Sequence, residues 1–204
     1  MAPTISEAIG ADHASFWEYA DNIRTATDDG EKLRWRNQLT WTIARHALSE
    51  ELTLYPAMEQ HLGAEGIKLS ETDKEQHQGV KNYLYELQDM PVVDPKFHPL
   101  LDTLISVLAH HVEHEREEDM PRLEGLLKRE ESEALARKFE RTKGIVPTRS
   151  HPAAPTEYYA ENLAGLLAAP IDRLQDWLRS WPDEEDRRHA AERREGTGGV
   201  AVAA

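Results

Sequence analysis

Two stretches of this chain carry histidine, glutamate and proline at the same offsets: His46, Glu50 and Pro56, then His111, Glu115 and Pro121. Both read H-x3-E-x5-P, and the second copy follows the first by 65 residues. Each is preceded by a lone histidine, His13 and His77, themselves 64 residues apart. In an α-helix, residues four apart share a face with Cβ atoms about 5–6 Å apart. Each His/Glu pair can therefore present an imidazole and a carboxylate to one point. If the two units fold as equivalent antiparallel helix pairs, His13, His46, Glu50, His77, His111 and Glu115 converge inside a bundle. Burying six such groups without a cation is costly, because unpaired carboxylates away from water are strongly disfavoured. A nitrogen and oxygen donor set suits iron or manganese, and zinc by affinity. Two glutamates bridging two ions would explain why histidine and carboxylate recur in matched pairs.

The elements that must position these groups are helices. Apolar residues at helical spacing run through 5–28 (Ile5, Ile9, Phe16, Ala20, Ile23) and 31–62 (Leu33, Leu39, Ile43, Leu54). Pro56 falls inside the second and predicts a kink or a new turn. A third helix is expected from a capped start near Ser70 to Asp89. Its inward stripe begins with Asp73 and His77, unusual for a core stripe and suited to a site. Met90–Pro99 holds three prolines and reads as a crossing loop. A fourth helix is expected from Pro99 past Pro121 towards Lys143. No segment reads as a strand. The fold class is all-α: an up-down-up-down four-helix bundle over 1–143, with a C-terminal helical extension. Residues 144–155 (GIVPTRSHPAAP) read as an extended linker. The segment 156–181 reads as two short amphipathic helices around Pro170, docked on the bundle or used for a protein partner or self-association. Residues 182–204 read as a disordered tail.

Composition removes several function classes. Among 204 residues, 24 Lys and Arg face 38 Asp and Glu, a net charge of −14, which argues against nucleic-acid binding through phosphate contacts. There is no cysteine, hence no disulfide, thiolate site or cysteine nucleophile. No stretch approaches the roughly 20 apolar residues a membrane span needs. The N-terminal stretch lacks the basic start and apolar run of a secretion signal, so a cytoplasmic location is expected.

With His13, His46, Glu50, His77, His111 and Glu115 in place, the chain resembles the hemerythrin-like, HHE cation-binding family over roughly residues 5–130. The resemblance implies a four-helix bundle holding two non-haem iron ions, with these six residues as ligands and the two glutamates as bridges; manganese or zinc is the lesser expectation. It also implies dioxygen, peroxide or nitric oxide as ligands. Two departures stand out. Oxygen-carrying hemerythrins have H-x3-H on the third helix, where this chain has Lys81 after His77. They also end in H-x4-D, where this chain has H-x3-E at Glu115. The GLLAAPID segment at 165–172 is similar to extensions on fungal members.

Other residues near the motifs take plainer readings. His110 lies about 100° round the helix from His111, whereas His114 can lean towards the site. Glu51, Glu113, Glu117 and Glu118 read as a solvated face, and Lys81 as a side chain snorkelling to water. Tyr55, Tyr83 and Tyr85 read as core or surface, Trp17, Trp35 and Trp41 as packing. His61, His98, His151 and His189 read as incidental. Three functions fit: a small-ligand-binding di-iron protein, a di-iron oxidase, peroxidase or oxygenase acting on a small organic substrate, or a regulatory module that folds with iron. An enzyme needs a pocket beside the metal, which spacing alone does not reveal.

Overall fold

The computed structural model describes residues 1–152 and 168–198, and among them there are helices and no strand. Four helices close a ring: α1 (Ile5–Thr25) packs on α2 (Asp29–Leu62), α2 on α3 (Ala64–Leu87), α3 on α4 (Phe97–His114), and α4 back on α1. Each start has a local cause. Thr4 caps α1, its hydroxyl accepting from the Glu7 N–H while Glu7 accepts from the Thr4 N–H at 2.8 Å. Asp28 caps α2 through the Glu31 N–H at 2.9 Å. The turns after α1 and α2 are too short for anything but reversal, which gives the up-down-up-down path.

Helix α2 runs as one element through Pro56 to Leu62 and ends at Gly63. Helix α3 begins at Ala64, ahead of the start expected near Ser70; Ser70 instead bonds across to Glu59 at 2.7 Å. The α2–α3 corner is set by two glycines. Gly63 has φ 62°, in the left-handed region that suits glycine. At Gly66 a Cβ would lie 2.0 Å from the Met58 carbonyl oxygen, so backbone meets backbone there.

The expected single fourth helix is in pieces. Helix α4 ends at His114, a π-helical turn spans Glu115–Asp119, and α5 (Met120–Glu124) and α6 (Arg129–Lys143) follow. Helix α6 lies across α1 and α2, burying Ala136 and Phe139. Two apolar clusters fill the bundle. One holds Phe16, Ile43, Val80, Leu84, Leu104 and Leu108; the other holds Ile9, Leu54, Tyr55, Met58, Met120 and Phe139. The repeated histidines fall between these clusters on all four helices.

The C-terminal region differs from the sequence expectation. Residues 144–152 form a strap on the bundle: Val146, Thr148, Arg149 and Ser150 are buried, and the Ser150 hydroxyl donates to the Lys81 carbonyl at 2.6 Å. Of the two helices expected over 156–181, the first falls largely outside the described residues, and the second is α7 (Ala168–Asp176). Of the expected apolar stripe, Ile171 and Leu174 on α7 and Trp177 and Leu178 just after it are exposed, whereas Trp181 packs edge-on against Trp41 of α2. Within 182–204, Glu184–Gly198 is a helix, α8, where disorder was expected. Arg34 forks onto Asp186 with two 2.6 Å bonds, Arg193 reaches Glu31 at 2.5 Å, and Ala190 is buried, so specific pairing holds a segment of charged composition. No helix among the described residues is long and apolar enough to cross a membrane.

Candidate metal centre

The structure brings all six repeated residues together. Helix α1 supplies His13, α2 supplies His46 and Glu50, α3 supplies His77, and α4 with its π-turn supplies His111 and Glu115; each is at most 7 % exposed. They form two groups that share a glutamate. In the first, His13 Nε2 and His46 Nε2 are 3.1 Å apart, His46 Nε2 is 2.8 Å from Glu50 Oε1, and His13 Nε2 is 3.4 Å from Glu115 Oε2. In the second, His77 Nε2 and His111 Nε2 are 2.9 Å apart, and His77 Nε2 is 3.3 Å from Glu50 Oε2. His111 Nε2 lies 3.6 Å from Glu115 Oε2. Glu50 thus gives one oxygen to each group, and Glu115 faces both through a single oxygen.

These separations test whether the set fits metal. Ligands about 2.0–2.1 Å from one tetrahedral or octahedral ion are about 2.9–3.4 Å from each other, close to the range found. The fully buried oxygens of Glu50 and Glu115 have no aligned hydrogen-bond donor despite the nearby imidazoles. Orphaned carboxylates of this kind are costly and are what a cation would satisfy.

Protein groups alone leave the site electrostatically divided. Burial, then the neighbouring His46, pushes the His13 imidazolium down to about 3. Burial acts the same way on His46, but Glu50 and Asp12 outweigh it and hold His46 up at about 9. Burial and the carboxylates of Glu50, Asp73 and Asp119 hold Glu115 well above the usual range. Glu50 is well below it, because His46 and His77 overcome its burial. A cation would replace this mixed protonation with one common partner.

Outside the six lies a set of groups that aims the rings. His46 Nδ1 donates to Asp12 at 3.0 Å, and Lys143 holds Asp12 at 2.8 Å. His77 Nδ1 donates to Glu51 at 3.1 Å, and Lys81 holds Glu51 at 2.6 Å. His111 Nδ1 donates to Gln76 at 3.0 Å. Each such bond fixes the tautomer and turns Nε2 inward. Glu51 is therefore buried rather than solvated, and Lys81 is buried under the 148–151 strap rather than snorkelling to water. The Tyr55 hydroxyl lies 3.1 and 3.2 Å from the His77 ring nitrogens, and burial followed by Glu50 keeps it a neutral phenol. Sequence reading missed Asp12 and Gln76, although each directly precedes one of the lone histidines and shares their 64-residue step. Glu113 and Glu117 are exposed as expected, and so is His110.

Beside His13 and Glu115 opens a cavity of about 550 Å³ between α1, α4 and α5, with Ile9, Gly10, Trp17, Val112 and Met120 among its walls. Nothing lies within 4 Å of where a Gly10 Cβ would stand.

The chain is 45% identical over 178 residues, 87% of its own length and 88% of the relative's, to an uncharacterized hemerythrin-like protein of Schizosaccharomyces pombe. A crystal structure of a hemerythrin HHE cation binding domain-containing protein from Mycobacterium kansasii shares the fold, with TM-score 0.59 at 18% identity, covering 82% of this chain and 99% of that one. The profile of the hemerythrin HHE cation binding domain matches residues 4–123, the span that holds all six converging groups. This chain belongs to the hemerythrin HHE cation-binding family.

Proposed function

We propose that the chain is a non-haem di-iron protein that binds dioxygen or a related small ligand such as peroxide or nitric oxide, in the service of iron or redox sensing. The observation that carries this reading is the pair of histidine groups that share Glu50, with Glu115 facing His13 and His111 through one oxygen, and the buried oxygens of both glutamates lack an aligned donor. His13, His46, Glu50 and Glu115 would hold one ion, and His77 and His111 with the glutamates the other. Iron fits the mixed nitrogen and oxygen donors and a redox role; manganese favours sites richer in oxygen, and zinc has no redox chemistry. When bound, the two ions supply one-electron redox changes at adjacent positions and an open place for a diatomic ligand.

The remaining work falls to the protein. Asp12, Glu51 and Gln76 keep three imidazoles in one tautomer, and the apolar clusters above and below exclude water. Tyr55 offers a neutral hydroxyl at His77, and the cavity gives access at His13. That cavity favours a second reading: a di-iron oxidase, peroxidase or oxygenase whose small organic substrate lies against Trp17 and Met120, within reach of His13 and Glu115.

The test is metal content per chain after purification with iron supplied, together with the visible spectrum in air and its response to azide. Two irons per chain and an azide-sensitive spectrum are expected, both removed by Glu50→Ala. An intact helical fold that binds no metal overturns the proposal. Turnover of an organic compound that competes with azide selects the enzyme reading.

A further inference from the structure

A third group of ligating side chains lies one helical turn from the centre. Asp73 on α3, His114 at the end of α4 and Asp119 at the end of the π-turn face one another: His114 Nδ1 is 3.3 Å from Asp73 Oδ1 and 3.2 Å from Asp119 Oδ2. Both carboxylates are fully buried. Nevertheless all four carboxylate oxygens and His114 Nδ1 lack a hydrogen-bond partner, because the contacts are close but misaligned. Buried oxygens without an aligned donor, gathered with an imidazole so that one ligand atom from each residue lies within 4.8 Å of the others, are the same signature as at Glu50 and Glu115. The separations match the edge of a coordination shell, about 3.3 Å for ligands about 2.0 Å from a tetrahedral ion.

The internal repeat shows that the bundle does not need polar groups here. Asp73 precedes His77 by four residues, as Ile9 precedes His13. His114 and Asp119 follow His111 by three and eight residues, as Ser49 and Leu54 follow His46. In the first copy Ile9 and Leu54 are ordinary members of an apolar cluster. In the second copy the matching positions carry two carboxylates and an imidazole. The π-turn adds to the contrast: it interrupts α4 between His114 and Met120 and ends on Asp119, a perturbation that α2 does not make at Leu54.

We propose that Asp73, His114 and Asp119 form a third cation site, distinct from the six-residue centre, that takes a divalent transition metal. Two carboxylate oxygens and one imidazole suit zinc, iron(II) or manganese(II) and do not suit calcium, which takes six to eight oxygens. His114 is about a quarter exposed (24%), so the ion meets solvent on that side and keeps water as its remaining ligands. One divalent charge also offsets the two carboxylates that burial forces together.

The experiment is zinc binding by the full chain, counted by equilibrium dialysis and elemental analysis, with helical content checked by circular dichroism. Wild-type protein is expected to hold three zinc ions and Asp119→Asn two. His46→Ala/Glu50→Ala, altered on a helix that does not contribute to the cluster, is expected to retain one ion, which Asp119→Asn then abolishes. Since His114 is partly exposed, His114→Gln serves if the aspartate variants misfold; it should weaken the third ion by more than the roughly 10–100-fold that loss of an outer partner costs. Two ions in wild type, unchanged by Asp119→Asn and His114→Gln, would overturn the site and leave a proton shared between Asp73 and Asp119. One ion in wild type, lost with Asp119→Asn alone, would uphold this site while refuting the di-metal centre.

Discussion

His13 and His77 hold matching places in the two copies of the repeat, yet their surroundings are opposite. Around His77 the chain closes every approach. Glu51 takes its Nδ1–H, Lys81 locks Glu51, and Tyr55 lies over the ring. The residues one repeat away from Glu51, Lys81 and Tyr55 are Arg116, Trp17 and Met120, and all three line the cavity beside His13. What is a buried ion pair and a hydroxyl on one side is, on the other, an open wall of Trp17 and Met120 with the exposed Arg116 at its edge. Conversely, Asp12 and Gln76 are matched in place and in role, each accepting from the Nδ1–H of the neighbouring ring, His46 or His111. The difference teaches that the two copies are alike in the groups that aim the H-x3-E histidines and differ around the lone histidines, one sealed and one accessible.

The largest expected effect tests the sealed side. Glu51→Ala would strand the Lys81 ammonium under the strap, and breaking a buried pair typically costs about 3–5 kcal/mol. Arg116→Ala, at the matching exposed position, should stay within about 0.5 kcal/mol. Denaturant unfolding of both variants reads the contrast directly, and equal losses would erase it. On the open side, Gly10→Leu places a side chain into the cavity with no clash at its Cβ. Azide binding to the iron-loaded chain should slow at least tenfold with metal content unchanged, and removing a mid-helix glycine should stabilise α1 by roughly 0.5–1 kcal/mol. Unaltered azide kinetics would place access elsewhere. Tyr55→Phe removes one buried hydroxyl, so a loss of about 1 kcal/mol is expected, without a new opening at His77; azide reacting faster would show that the hydroxyl is itself the seal.

The smallest effect lies outside both half-sites and serves as their control. Arg34 holds the Asp186 carboxyl below its ordinary value of 3.8. A depressed carboxyl contributes stability above its unfolded value and loses it as pH falls. Attachment of α8 should therefore weaken only below about pH 4, read as hydrogen exchange along Glu184–Gly198, and Asp186→Asn should weaken it at neutral pH. An attachment that loosens between pH 5 and 8 instead would implicate a different group.

Helix existence was legible because apolar residues recur at helical spacing, and the six converging groups because type and offset repeat together. What lay hidden depends on covering. Glu51 and Lys81 look like solvent residues on helix periodicity alone, and are buried because the strap at 144–152 folds back over α2 and α3. The π-turn had no signal, since Glu115–Asp119 is as charged as any exposed helix. The same composition misled at α8, where charged residues find specific partners on α1 and α2 rather than water. The apolar stripe of α7 shows the converse: helical spacing says which residues share a face, and nothing about what that face meets.

Gly66 carries no functional group, yet it fixes a dimension of the centre. Helices α2 and α3 turn about a corner in which the Gly66 backbone touches the Met58 carbonyl, and the contacts of Glu50 and Glu51 with His77 cross the same pair of helices. The height of one helix against the other is thus gauged at a corner eight residues from Glu50 and eleven from His77. A single added methyl there would act as a shim, lifting α3 and misaligning donor atoms that are all still present.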